Sequence, residues 1–252
     1  MEIKFIRIKH LISRYFAENT GTMVKVVSAI CLILFVIACL THIGARNMNY
    51  TAMVILVYVA WFCGGFWFSS SIFREMHNPG SGYRFLTLPA TNEEKLVYAW
   101  LLTSPLVIVI AIIAMYVVAF LTASFCTVFL NIRYSGLNIF EYGFGHMVLL
   151  YLVLQPVFLL GATLFRKIQF FNTILWIGII GIATQILTWI FTFFIFFPVR
   201  EYSFDSNFFR IIWNTDYFTG IFWPGIKILF WYVMAPFFIL LTYFRLKETE
   251  IR

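Results

Sequence analysis

The chain has 252 residues, 62% of them hydrophobic, 21% aromatic and only 12% charged, with a mean hydropathy of +0.89. Soluble domains carry about 25% charged residues, so this composition excludes an ordinary soluble fold and specifies an all-α, polytopic membrane protein. The net charge of +7 does not signal a nucleic-acid partner, because the basic residues flank apolar runs instead of forming one patch.

Residues 3–16 have a helical pattern, with Phe5, Ile8, Leu11, Ile12, Tyr15 and Phe16 on one side and Arg7, His10, Ser13 and Arg14 on the other. The pattern predicts an amphipathic helix over 1–17, lying in the headgroup plane and held to membrane lipids by Phe5, Ile8, Ile12 and Phe16. The plainer alternative is a charged anchor that only orients the first span. The segment has no apolar h-region, so no cleavable signal peptide is expected.

Apolar runs predict six spans, at about 24–43, 50–73, 96–124, 146–165, 170–197 and 227–244, forming one membrane domain over residues 1–252. Between the second and third spans, residues 74–95 hold most of the charge and punctuation in the middle of the chain. Leu88-Pro89-Ala90-Thr91-Asn92-Glu93-Glu94-Lys95 reads as a turn into a helix start. Either Thr91 or Asn92 could be its N-cap, with acidic residues in the first turn where the helix dipole favours them. Pro105, just after Ser104, predicts a kink in the third span. Residues 198–226 are too aromatic for a free loop and are expected to fold back on the outer interface.

With both termini cytosolic, thirteen of the 18 Lys and Arg residues fall on the inner side, which places 74–95 in the cytosol. The uncharged runs within these spans, 26–43, 50–73, 96–130, 147–165, 168–199 and 228–244, contain no Asp, Glu, Lys or Arg, which argues against an ion- or proton-coupled carrier. Ser69, Thr103, Ser104, Gln155, Thr184 and Gln185 are among the few polar residues in the spans, and interhelical hydrogen bonding is their expected role. The sequence has no GxxxxGK[ST] loop, no HExxH and no CxxC pair, so no cofactor or metal is expected in this chain.

Six spans with cytosolic ends, a basic amphipathic helix before the first and a short cytosolic helix between the second and third resemble the permeases of ABC-2-type exporters. Phe85-Leu86-Thr87-Leu88-Pro89, followed by Asn92, Glu93, Glu94 and Lys95, is similar to the family's coupling helix, which docks on a separate ATPase subunit. The resemblance implies a partner ATPase gripping Arg84, Phe85, Leu86, Leu88, Pro89, Asn92, Glu93, Glu94 and Lys95, and a second permease copy or paralogue. It also implies Mg-ATP on the partner alone, no catalysis in this chain, a bacterial cytoplasmic membrane location and a hydrophobic or amphipathic cargo. Two readings outside transport remain open, a membrane scaffold or assembly factor and a membrane-embedded enzyme.

Overall fold

The computed structural model describes residues 5–43, 50–77, 90–130, 132, 137–138, 142–196 and 223–251. In chain order the helices are α1 (Phe5–His42), α2 (Thr51–Ser71), α3 (Arg74–His77), α4 (Asn92–Thr103), α5 (Pro105–Phe129), α6 (Phe144–Leu164), α7 (Gln169–Phe196), α8 (Trp223–Ile228) and α9 (Met234–Ile251). A π turn, Leu229–Val233, joins the last two and ends just before Pro236. Six stretches are long and apolar enough to cross a membrane: α1, α2, α4 with α5, α6, α7, and Pro224–Glu248.

The first span corrects the sequence expectation. The amphipathic segment and the span are one uninterrupted helix of 38 residues. The polar stretch Glu18–Thr22 lies between the segment expected over 1–17 and the span expected from about 24, and the helix runs through it. Arg14 Nε donates to Glu18 Oε1 at 2.9 Å across one turn, and the Asn19 amide donates back to the Tyr15 carbonyl at 3.1 Å. Thr20 Oγ1 likewise donates to the Phe16 carbonyl. Gly21 is the weak point, but one glycine costs only about 1 kcal/mol relative to alanine, too little to end a helix supported on both sides.

The third span breaks where Pro105 predicted. Ser104 has φ −106° and ψ −81°, and Pro105 opens α5 at its first position, where a missing N–H costs least. Pro105 cannot donate to the carbonyl of Leu101, so the ladder stops there. The Ser104 N–H still reaches the Trp100 carbonyl at 2.9 Å, and Ile108 N–H picks up the Ser104 carbonyl at 3.1 Å. Two helices therefore share one span.

The core lies between α1, α2, α5 and α6, around Leu34, Met53, Val57, Trp61, Met115 and Tyr151. Lipid tails are as apolar as leucine, so these helices associate through close packing and hydrogen bonds, not through the hydrophobic effect. Aromatic rings supply much of the packing. Phe66 stacks on Phe158 at 4.2 Å and on Tyr151 at 5.5 Å, and Trp61 meets Tyr151 at 5.3 Å. Gly65 makes this approach possible, because a Cβ there would sit 2.5 Å from the Tyr151 hydroxyl. Gly161 plays the same part between α6 and α7, where Thr173 fills the volume a side chain would take.

Beyond Thr173, α7 leaves the bundle. Every residue from Ile174 to Phe191 is exposed, including Gln185.

Candidate functional site

Three features converge near the third span: the foot of α4, the break at its head, and the groove beside α1.

At the foot, Thr91 is the N-cap and makes a full capping box. Its hydroxyl accepts from Glu94 N–H at 3.3 Å, and the Glu94 carboxylate accepts from Thr91 N–H at 3.0 Å. Two otherwise orphaned donors are satisfied this way. The same oxygen, Glu94 Oε2, lies 3.8 Å from Arg7 Nη1 of α1. The next residues of α4, Leu96 and Ala99, join a small apolar cluster with Phe73, Leu159, Ala162 and Leu246. The Ala162 carbonyl accepts from His77 Nε2 at 2.9 Å and from the Gln169 amide at 3.2 Å, tying α3 and the start of α7 to the end of α6.

This placement changes the expected docking set. Arg84, Phe85, Leu86, Leu88 and Pro89 lie outside the described residues. Asn92 and Glu93 are half-buried, whereas Glu94 and Lys95 are 0% and 2% exposed. The sequence reading put both in a handle for a partner. Instead Glu94 is consumed by the capping box and Arg7, and the start of α4 packs inside the bundle.

The N-terminal face is also redistributed. Ile8 is buried, Ile12 and Phe16 are half-buried, and Phe5 is exposed. Tyr15 meets Phe68 of α2 at 6.0 Å and Tyr98 of α4 at 6.4 Å, so the apolar face of this segment packs on protein.

At the head of α4 the chain gathers its buried polar groups. Tyr151 Oη donates to the Thr103 carbonyl at 2.7 Å, and the Gln155 amide donates to Thr103 Oγ1 at 2.5 Å. Thr103 in turn donates to the Ala99 carbonyl at 2.7 Å, and Ser69 donates to the Gly65 carbonyl at 2.9 Å. Irregular backbone at membrane depth is tolerated where protein polar groups surround it, and this knot provides them. Gln155 thus has the interhelical role its sequence position suggested. Thr103 was among the polar residues noted there; Tyr151 was missed, because an aromatic residue inside an apolar run carries no separate signal.

The groove lies between α1 and α5. Phe16, Thr20, Val27, Cys31, Ile113 and Val117 help to line a cavity of about 690 Å³. Lys25 of α1 is exposed and is not part of this lining. Its height follows from ring contacts: Tyr15 is level with Phe68 and Tyr98, and Phe35 is level with Phe125 at 6.1 Å. Lys25 lies ten residues from each. It therefore stands about midway between those two sets of ring contacts.

Among the described residues, no group of three or more His, Cys, Asp or Glu could hold a metal. Comparison of the chain with family models, characterised proteins and solved structures finds no match.

Proposed function

We propose that this chain is the membrane-spanning permease subunit of an ABC-2-like exporter, moving a hydrophobic or amphipathic cargo with energy from a separate ATPase. The observation that carries the reading is the foot of α4. Residues 84–89 lead directly into Thr91, and Glu94 joins that point to Arg7 of α1. A cytosolic ATPase pressing on Phe85, Leu86 and Leu88 would act on a helix already tied to the first span below and to α6 through Thr103 above. Interface centres favour such aromatic and aliphatic groups over charge. The bare length of α7 supports a second permease copy, since the Gln185 amide at membrane depth calls for a hydrogen-bonding partner.

The test is co-purification from native membranes, with mass spectrometry of what accompanies the wild type, the Leu86→Asp/Leu88→Asp variant and Glu93→Lys. Glu94 and Lys95 are left alone because they are buried. The expected result is an ATPase with the wild type, lost in the double variant at unchanged expression. A wild type that brings down no ATPase sinks the exporter reading and leaves the scaffold in its place.

A further inference from the structure

The connector between α6 and α7 is residues 165–168, and Arg166, Lys167 and Ile168 are exposed there side by side. Its depth follows from the helix that leads into it. The 21 residues of α6 extend about 32 Å, which matches a hydrocarbon core of about 30 Å. The next candidate span begins at once, at Gln169. The connector therefore lies at one edge of the bilayer, where phosphates meet acyl chains.

Two properties of this tip serve nothing within the chain. Arg166 and Lys167 make no ion pair among the described residues, and α2, α6 and α7 contain no Asp or Glu to offer them. Ile168 has φ 47°, the one positive value of a non-glycine residue among those described, and a β-branched side chain is strained there. No packing offsets the strain, since Ile168 is 69% exposed. The turn is nevertheless held firmly. The Asn172 amide donates to the Lys167 carbonyl at 2.9 Å, and Asn172 N–H donates to the Ile168 carbonyl at 3.0 Å. The Gln169 amide ties the start of α7 to the Ala162 carbonyl.

The surroundings say what the tip meets. Leu164 ends α6 and Phe171 lies in the first turn of α7, and both are exposed apolar residues of spans. Ile168 stands between them in the chain. A soluble protein would have to enter the bilayer's edge to cover all three, whereas a phospholipid brings acyl chains and a phosphate to that boundary together. Two unpaired cations favour a head group with net negative charge, because a zwitterionic one carries its own counter-cation.

We infer that the Arg166-Lys167-Ile168 tip holds the head group of an anionic phospholipid, with both cations on its phosphate and Ile168 sunk among the acyl chains. The guanidinium can take two phosphate oxygens at once, and the ammonium adds a point charge. The fixed turn presents the three side chains together, so little ordering is lost on binding. This site goes beyond the permease reading and does not depend on it.

The experiment is native mass spectrometry of the full chain, released from micelles containing phosphatidylglycerol and phosphatidylcholine of equal chain length. Each cation at the membrane surface adds about fivefold, so the wild type should retain the anionic lipid about twentyfold over the zwitterionic one. Arg166→Gln/Lys167→Gln should bring the ratio close to one. Lys25→Gln/Lys227→Gln removes the same charge elsewhere and should leave the ratio unchanged. Ile168→Asn should lose most of the preference while unfolding no earlier than the wild type, because asparagine accepts the left-handed turn. Inorganic phosphate at millimolar concentration should not displace the lipid, because the acyl chains supply part of the binding. Equal retention by the wild type overturns the inference. So does a preference that survives either tip variant, that falls equally in the Lys25/Lys227 control, or that phosphate alone abolishes. Thermal unfolding identifies a misfolded variant, and Ile168→Asn, in which the turn is relieved, then decides. If Arg166→Gln/Lys167→Gln instead loses a co-purifying ATPase at unchanged lipid retention, the tip is a protein contact and the lipid site falls. If no ATPase accompanies the wild type while retention still follows Arg166 and Lys167, the exporter reading falls and the lipid site stands.

Discussion

The Tyr151 hydroxyl occupies the volume that a side chain at residue 65 would fill, 2.5 Å from where a Cβ would be. The neighbouring Gly64 has nothing within 4 Å. Two adjacent glycines on α2 therefore answer the same substitution in opposite ways.

Gly65→Ala should destabilise the protein by about 1–3 kcal/mol, because Tyr151 must leave either its packing or its bond to the Thr103 carbonyl. Gly64→Ala should be neutral or stabilising by up to about 1 kcal/mol through helix propensity. Unfolding midpoints in mild detergent, titrated with a denaturing detergent, compare the two. Equal effects would mean that α2 and α6 are not in close contact.

The Gln155–Thr103 bond predicts a coupling energy. Gln155→Leu and Thr103→Val should each destabilise, and the double variant should cost less than the two added together. The difference should be about 0.6–1.7 kcal/mol, the range for interhelical hydrogen bonds in membranes. Strict additivity would place the amide elsewhere.

At the foot of α4 the order of effects is the prediction. Glu94→Ala removes half of the capping box and the partner of Arg7, and should cost the most, about 2 kcal/mol. Thr91→Ala should cost about 1 kcal/mol. Arg7→Ala should cost under about 1 kcal/mol, since the Arg7 side chain is 45% exposed and its pair is screened. Added salt should shrink the Arg7 effect and leave the Thr91 effect in place. An Arg7 effect larger than that of Glu94 would show that the ion pair, not the cap, holds the helix start.

The charge bias predicts sidedness. In a background without the four native cysteines, Asn78→Cys and Ser206→Cys should react with a membrane-impermeant maleimide from opposite faces of intact cells. Reaction of the Asn78 position from outside would invert the orientation and remove the docking argument with it.

Local chemistry was legible in the sequence, and tertiary pairing was not. Thr91, one of the two N-cap candidates, and Pro105 after Ser104 act on their own backbone, so their effect is written in adjacent residues. Six spans follow equally directly from apolar runs. The continuity of α1 was missed because Glu18–Thr22 reads as polar punctuation, while its side chains bond within the helix. The burial of Glu94 and Lys95 was missed for a different reason. Charged residues in a connector look solvated, and only the arrival of α1 and α9 around them shows otherwise.

The short helix α4 has both its ends pinned to different neighbours. Arg7 holds the foot to α1, and Tyr151 and Gln155 hold the head to α6. Twelve residues make a strut about 18 Å long, so a 10° rotation moves one end by about 3 Å relative to the other. That distance is the full length of a hydrogen bond. The first and fourth spans cannot tilt independently by that much while both pins hold, and the strut must let go of one neighbour to follow the other.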